Sequence, residues 1–279
     1  MKKLLVTGCN GQLGKAINKQ YENTEYELVN TDVSELDITN VDAVVTMMKE
    51  VKPYAIINCA AHTGVDACET EQENAYRINA IGPRNLSIAA TAVGAKMVHI
   101  STDYVFEGNA AKPYVEFDAV NPQGMYGRTK LAGENFVQAF AKDYFIIRTA
   151  WLYGDGKNFV KTMLRLAETN DKVRVVGDQF GTPTSAAELA KMIAYLVPSE
   201  NYGLFHGTCE GACNWADFAK EIFKLAGKST QVEAITTAEY KTAAVRPAYS
   251  VLENYMLKLT TDFTFASWEE ALKEYMETL

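Results

Sequence analysis

The sequence predicts an α/β fold: a doubly wound parallel sheet with helices on both faces, joined to a smaller α/β region. Three observations carry this. From Met1 to Thr149, short apolar runs bounded by turn residues alternate with helical patterns, the order of repeated strand–helix–strand units. The first run, Leu4-Leu5-Val6, meets the glycine-rich turn Gly8-Cys9-Asn10-Gly11-Gln12-Leu13-Gly14, which opens directly into a helical segment from Lys15 to Tyr21. Beyond Ala150 the alternation becomes irregular, yet no linker, repeat or low-complexity tract intervenes. Residues 1–150 and 151–279 therefore read as two interleaved parts that share a cleft.

Taking the elements in order, the turn after the first strand is built to hold a pyrophosphate. Gly8 allows the sharp turn off the strand, Gly11 lets the backbone approach phosphate, and Gly14 lets the helix pack close to the sheet. This is a Rossmann-type arrangement, and it makes Gly8, Asn10, Gly11, Gln12, Leu13 and Gly14 candidate cofactor-binding residues. The second strand, Tyr26 to Thr31, ends at Asp32. A carboxylate there accepts hydrogen bonds from an adenosine ribose and repels a 2′-phosphate, which favours NADH over NADPH. Thr39-Asn40 caps a helix that runs to Lys52 and stops before Pro53.

Ala55-Ile56-Ile57-Asn58-Cys59 is a third strand, followed by Ala60, Ala61 and His62. Small residues at a strand's C-terminal end suit a cofactor lying across the sheet crevice. His62 reads as a wall of that site and not as its acid or base. A long helix is expected from about Glu71 to Val93, kinked at Pro83. Lys96 to Ser101 is a fourth strand, with the Thr102 hydroxyl at its end placed to hydrogen-bond a substrate. Tyr126 and Lys130 follow on a helix, four residues apart and so on one face. A free tyrosine has a pKa near ~10; the Lys130 ammonium is expected to lower that of Tyr126 and to hold the nicotinamide ribose. Tyr144 to Arg148 completes the strand–helix alternation. The second part carries helices from Asn158, Ala186, Asn214 and Ser267 and a strand at Val173–Val176.

Composition bounds the function. A chain of 279 residues buries a sizeable core, and 48% apolar with 22% charged residues is a soluble, globular balance. A net charge of −8 gives no general attraction to nucleic acid or to an anionic membrane. The first apolar run is too short for a signal peptide, and none approaches the roughly 18 residues of a membrane span, so the expected location is cytoplasmic. Five irregularly spaced cysteines imply no disulfide framework, and Cys209-x-x-x-Cys213 with only three histidines in the chain makes no metal site.

The motifs Gly8-x-x-Gly11-x-x-Gly14, Leu36-Asp37-Ile38-Thr39, Asn58 to Asp66, Ser101-Thr102-Asp103-Tyr104-Val105-Phe106, Tyr126-Gly127-Arg128-Thr129-Lys130, Arg148 to Gly154, Gln179 to Thr184 and Arg246-Pro247 belong together. Over essentially the whole chain they resemble the dTDP-4-dehydrorhamnose reductase family, within the extended short-chain dehydrogenase/reductase superfamily. The resemblance implies reduction of the C4 ketone of dTDP-4-dehydro-L-rhamnose to dTDP-L-rhamnose with NADH or NADPH. It implies a catalytic group of Thr102, Tyr126 and Lys130, with Asp37 and Ile38 along the adenine. Thr63, Val65, Asp103 and Trp151 would line the sugar pocket, Phe180 to Thr184 would seat the nucleotide, and Arg246 would hold the diphosphate of the dTDP-sugar. Some members carry a Glu that helps bind Mg²⁺ at a dimer interface; the matching position is Ala16, so a homodimer here would not be metal-bridged and no metal is required. Two other readings share these residues: a different sugar-nucleotide epimerase, dehydratase or reductase, and a non-catalytic NAD(P)-binding regulatory subunit.

Overall fold

The computed structural model describes residues 1–279. Six parallel strands form the central sheet: β1 (Lys2–Thr7), β2 (Tyr26–Thr31), β3 (Ala55–Asn58), β4 (Lys96–Thr102), β5 (Tyr144–Thr149) and β6 (Gly203–His206). Their spatial order is β6-β5-β4-β3-β1-β2. The order reverses beside β1, and the crevice between the C-terminal ends of β1 and β3 is where such a sheet binds ligands.

Strand periodicity sends successive side chains to opposite faces. Leu4, Val6, Ile57, Val98 and Ile147 pack into the core under one face, while Leu5, Ile56, Met97 and Ile146 pack into the core under the other. Both faces are covered, so these strands read as continuous apolar runs. On the first face lie helices α1 (Gln12–Gln20) and α5 (Ala186–Leu196); on the second lie α2 (Val41–Val51), α3 (Gly82–Val93) and α4 (Met125–Phe140). Asn40 caps α2 by accepting from the Asp42 and Ala43 N–H groups, and Lys52 ends it in a left-handed turn before Pro53.

One expectation is corrected and another refined. The sheet does not end at Arg148. The second part of the chain returns through α5 to add β6 beside β5. The long helix expected from Glu71 to Val93 runs from Gln72 to Val93, but a π-helical turn at Arg77–Ile81 takes the place of a kink at Pro83, and a separate short helix, Val65–Thr70, precedes it. Pro83 has no N–H to continue the ladder, so the backbone widens into the π turn and restarts with Pro83 in the first turn of α3.

The second part also holds three short pairings. Leu152–Tyr153 runs parallel to Thr184–Ser185, Lys172–Val176 parallel to Gln231–Ile235, and Phe180–Gly181 antiparallel to Cys213–Asn214. Cys213–Asn214 leads into helix α6 (Trp215–Leu225), which Asn214 caps through the Asp217 N–H. The Gln12 side chain accepts the Gly154 N–H at 2.8 Å, which ties the glycine loop to this part.

Candidate active site

A cleft of about 580 Å³ opens over the C-terminal ends of β1, β3, β4 and β5. A second cavity of about 270 Å³ adjoins it, sharing Gly11, Cys59 and Ala61, and extends toward β2. The smaller cavity is walled by Gly8, Asp32, Asp37, Ile38 and Ala60; the larger by Gln12, Leu13, Gly14, Thr63, Val65, Thr102, Asp103, Tyr126, Lys130 and Trp151. Together they bring most of the candidate site residues into one elongated trough.

The trough fits a dinucleotide in its local chemistry. Gly8 turns at φ +64°, and a Cβ on Gly14 would collide with the Gly8 carbonyl and the Cys9 backbone. The loop is therefore wrapped tightly onto the first turn of α1, with its Gly11 backbone bare toward both cavities. The Asp32 carboxylate accepts the backbone N–H groups of Asn10 (3.2 Å) and Val33 (2.9 Å), which fixes its charge at the end of β2. Lys15, one residue into the helix from Gly14, is paired with Asp155 at 3.1 Å.

Tyr126 and Lys130 lie on α4, and Thr102 ends β4. The Lys130 Nζ donates to the Ile100 carbonyl at 2.5 Å. Burial pushes its pKa down to about 8, with Glu134 and Cys59 opposing. Thr102 donates to Asp103 Oδ1 at 2.9 Å and accepts the Tyr104 N–H at 3.2 Å. Asp103 is buried with Oδ2 unpartnered, and burial pushes its carboxyl up to about 6. The expected lowering of the Tyr126 phenol does not occur here. Burial pushes it up, Asp103 and Tyr104 push the same way, and the Thr102 hydroxyl only partly offsets them.

The family model described as the RmlD substrate binding domain matches residues 1–279. A crystal structure of a dTDP-4-dehydrorhamnose reductase from Clostridium acetobutylicum superposes with a TM-score of 0.97 at 56% identity, covering 99% of each chain. One from Bacillus anthracis, solved in complex with NADP, gives 0.98 at 44% identity and covers 100% of each chain. The dTDP-4-dehydrorhamnose reductase of Aggregatibacter actinomycetemcomitans is 40% identical over 287 residues, which cover 98% of each chain.

This chain belongs to the dTDP-4-dehydrorhamnose reductase family.

Asn10, His62, Arg246 and the segment from Phe180 to Thr184 stand outside the two cavities. Asn10 takes part through its backbone N–H to Asp32. His62 turns its ring away, to Glu71 at 3.1 Å and the Cys68 thiol at 3.5 Å, while Asn79 clamps its backbone on both sides. Arg246 sits at the rim, where its guanidinium donates to Asp66 at 2.6 Å and to the Tyr104 hydroxyl at 3.2 Å. Phe180 is exposed, in the short strand beside Cys213–Asn214.

In this reductase-family chain Trp215 joins the site without having been singled out from the sequence. Trp215 lines the cleft and stacks on Trp151 at 3.5 Å between ring centres, with the planes 9° apart. Trp151 itself has φ +49°, and Gly181 leaves the space its indole occupies. No local pattern marks Trp215, because a helix's first residue acquires a partner 64 positions back only in the folded chain. Asn79, in the π turn, bridges His62 to Thr129 of α4. No group of three or more His, Cys, Asp or Glu side chains is placed to hold a metal ion, and no helix is long and apolar enough to cross a membrane.

Proposed function

We propose that this protein is an NAD(P)H-dependent oxidoreductase that reduces the C4 ketone of dTDP-4-dehydro-L-rhamnose to give dTDP-L-rhamnose. The observation that carries the reading is the placement of Thr102, Tyr126 and Lys130 in one cleft, continuous with the cavity walled by the glycine loop and Asp32. Gly11, Asp32, Asp37, Ile38, Ala60 and Ala61 would hold the adenosine end of the cofactor, and Gln12, Leu13, Ile100 and Lys130 the nicotinamide end. Bound NAD(P)H supplies the hydride.

The chain's own residues do the rest. Thr102 turns its O–H from Asp103 to the ketone oxygen and stabilises charge as it grows there. Tyr126 then gives its phenolic proton to that oxygen. Its raised pKa suits this direction of reaction, because the phenol stays protonated until an alkoxide, a stronger base than phenolate, demands the proton. Lys130, anchored on Ile100, keeps a positive charge beside the reacting groups and fixes their alignment. Thr63, Val65, Asp103 and Trp151 wall the sugar, and Arg246 at the rim takes the diphosphate by exchanging Asp66 for phosphate oxygens. Asp32 favours NADH, and Ala16 in place of a carboxylate leaves activity independent of Mg²⁺.

The test is oxidation of NADH or NADPH that depends on added dTDP-4-dehydro-L-rhamnose, with the product identified by NMR. Absence of keto-sugar-dependent oxidation would remove the reading and favour a binding role on the same fold.

A further inference from the structure

Helix α4 carries one more charged residue in line with Tyr126 and Lys130. Glu134 lies one turn beyond Lys130 and its side chain is 1% exposed. Its Oε1 accepts the Ser101 hydroxyl and, at 2.9 Å, the Arg148 Nε–H; its Oε2 accepts Arg148 Nη2 at 2.7 Å. Ser101 and Arg148 face each other in register on β4 and β5, so the carboxylate pins the helix to two strands at once. Arg148 is also buried, with its guanidinium 5.0 Å from the Phe106 ring centre and Nη1 unpartnered. Glu134 is the one anion paired with it.

Lys130 grips the same strand one residue away, at the Ile100 carbonyl. The groups packed around its ammonium are few. Just after β3 comes the Cys59 thiol, pushed by burial up to about 12 and so uncharged at neutral pH. From β4 comes His99, held neutral by burial. On its own helix are Tyr126, whose phenol is pushed up, and Glu134. Across the cleft Asp103 is hydrogen-bonded to Thr102. An ammonium buried this deeply loses its proton readily unless an anion stands close, and Glu134, one turn along the same helix, is the carboxylate whose charge opposes that loss. Arg148 is the fixed cation that holds this buried carboxylate in place.

We propose that Glu134 is a positioning residue for the reaction: clamped by Arg148 and Ser101, it keeps Lys130 in its ammonium form against Ile100 and so sets the alkaline limit of turnover. The proposal rests on the reading of Lys130 as the catalytic lysine. It assigns Arg148 a supporting part, that of holding the Glu134 carboxylate in position.

The experiment compares wild type, Glu134→Gln, Glu134→Gln with Arg148→Met, and Lys130→Met. It reads the Lys130 titration midpoint by NMR in cofactor-free, ¹³C-lysine-labelled protein, assigned by the signal that Lys130→Met removes. It also reads the pH profile of kcat/KM and the melting temperature. Glu134→Gln should lower the Lys130 midpoint by about one pH unit or more, and the alkaline limb of kcat/KM should move with it. It should also lower the melting temperature, because Arg148 is left buried without its partner. The double variant removes both buried charges, so it should regain melting temperature while its midpoint and limb stay below wild type; it carries the test if the single variant does not fold. A midpoint that does not fall in either variant, or one that returns to the wild-type value along with stability in the double variant, would overturn the proposal. Wild-type turnover in Lys130→Met would instead break the reading of Lys130 as catalytic, and the NMR midpoint would still decide whether Glu134 controls its charge.

Discussion

Replacing Tyr126 with Phe removes one hydroxyl from the wall of the cleft. The ring's edge-to-face contact with Tyr104, at 5.4 Å and 76°, needs no oxygen, so the fold and melting temperature should hold. The chemistry should not. Thr102 is a far weaker acid, and Asp103, with its carboxyl pushed up to about 6, is largely ionised at pH 7.5 or so and has no proton to give. With no replacement donor, kcat should fall at least about a hundredfold, or roughly 2.7 kcal/mol in the barrier. Cofactor affinity should change less than about twofold, because the Lys130 anchor is the Ile100 carbonyl and not the phenol. The sign of the pH effect follows from Asp103. Its raised pKa means that below about 6 it becomes a neutral acid beside Thr102, so the residual turnover of the variant should rise as pH falls through that value. Steady-state kinetics across pH, with NADH oxidation and direct cofactor titration, measures all of this. A Tyr126→Phe enzyme turning over within a few-fold of wild type at neutral pH would refute the assignment of the acid.

Four other outcomes are expected. Asp32→Ala should raise kcat/KM with NADPH relative to NADH, because the fixed carboxylate at the end of β2 no longer faces the 2′-phosphate; an unchanged ratio of the two cofactors would refute its role. Arg246→Ala should raise the substrate KM by roughly thirtyfold, about 2 kcal/mol, with Arg246→Lys recovering only part and kcat nearly unchanged; an unmoved KM would place the diphosphate elsewhere. Gly181→Ala puts a methyl into the Trp151 indole, so it should alter tryptophan fluorescence and raise the substrate KM about tenfold or more while leaving cofactor binding intact, and normal kinetics would show that the indole does not shape the pocket. Activity after EDTA treatment should equal that with Mg²⁺ added; a loss reversed by Mg²⁺ would contradict the inference from Ala16.

By itself the sequence determined whatever rests on short-range geometry. The glycine turn, Asp32 at the end of β2 and the Tyr126–Lys130 face are each encoded by spacing within one strand, turn or helix. They lie where their pattern places them because each depends on contacts within its own strand, turn or helix. The helix starts at Asn40, Asn158 and Ser267 were legible for the same reason, since each cap bonds within its own first turn. Only the tertiary structure decided the rest. It added β6 to the sheet, set Trp215 against Trp151, and paired Arg246 with Asp66 across 180 positions. It turned His62 toward Glu71 and reversed the expected shift of Tyr126. Contacts between distant segments follow from packing, which no local pattern records. A pKa follows from the balance of desolvation against every charge nearby, and that balance exists only once the cleft has closed around the group.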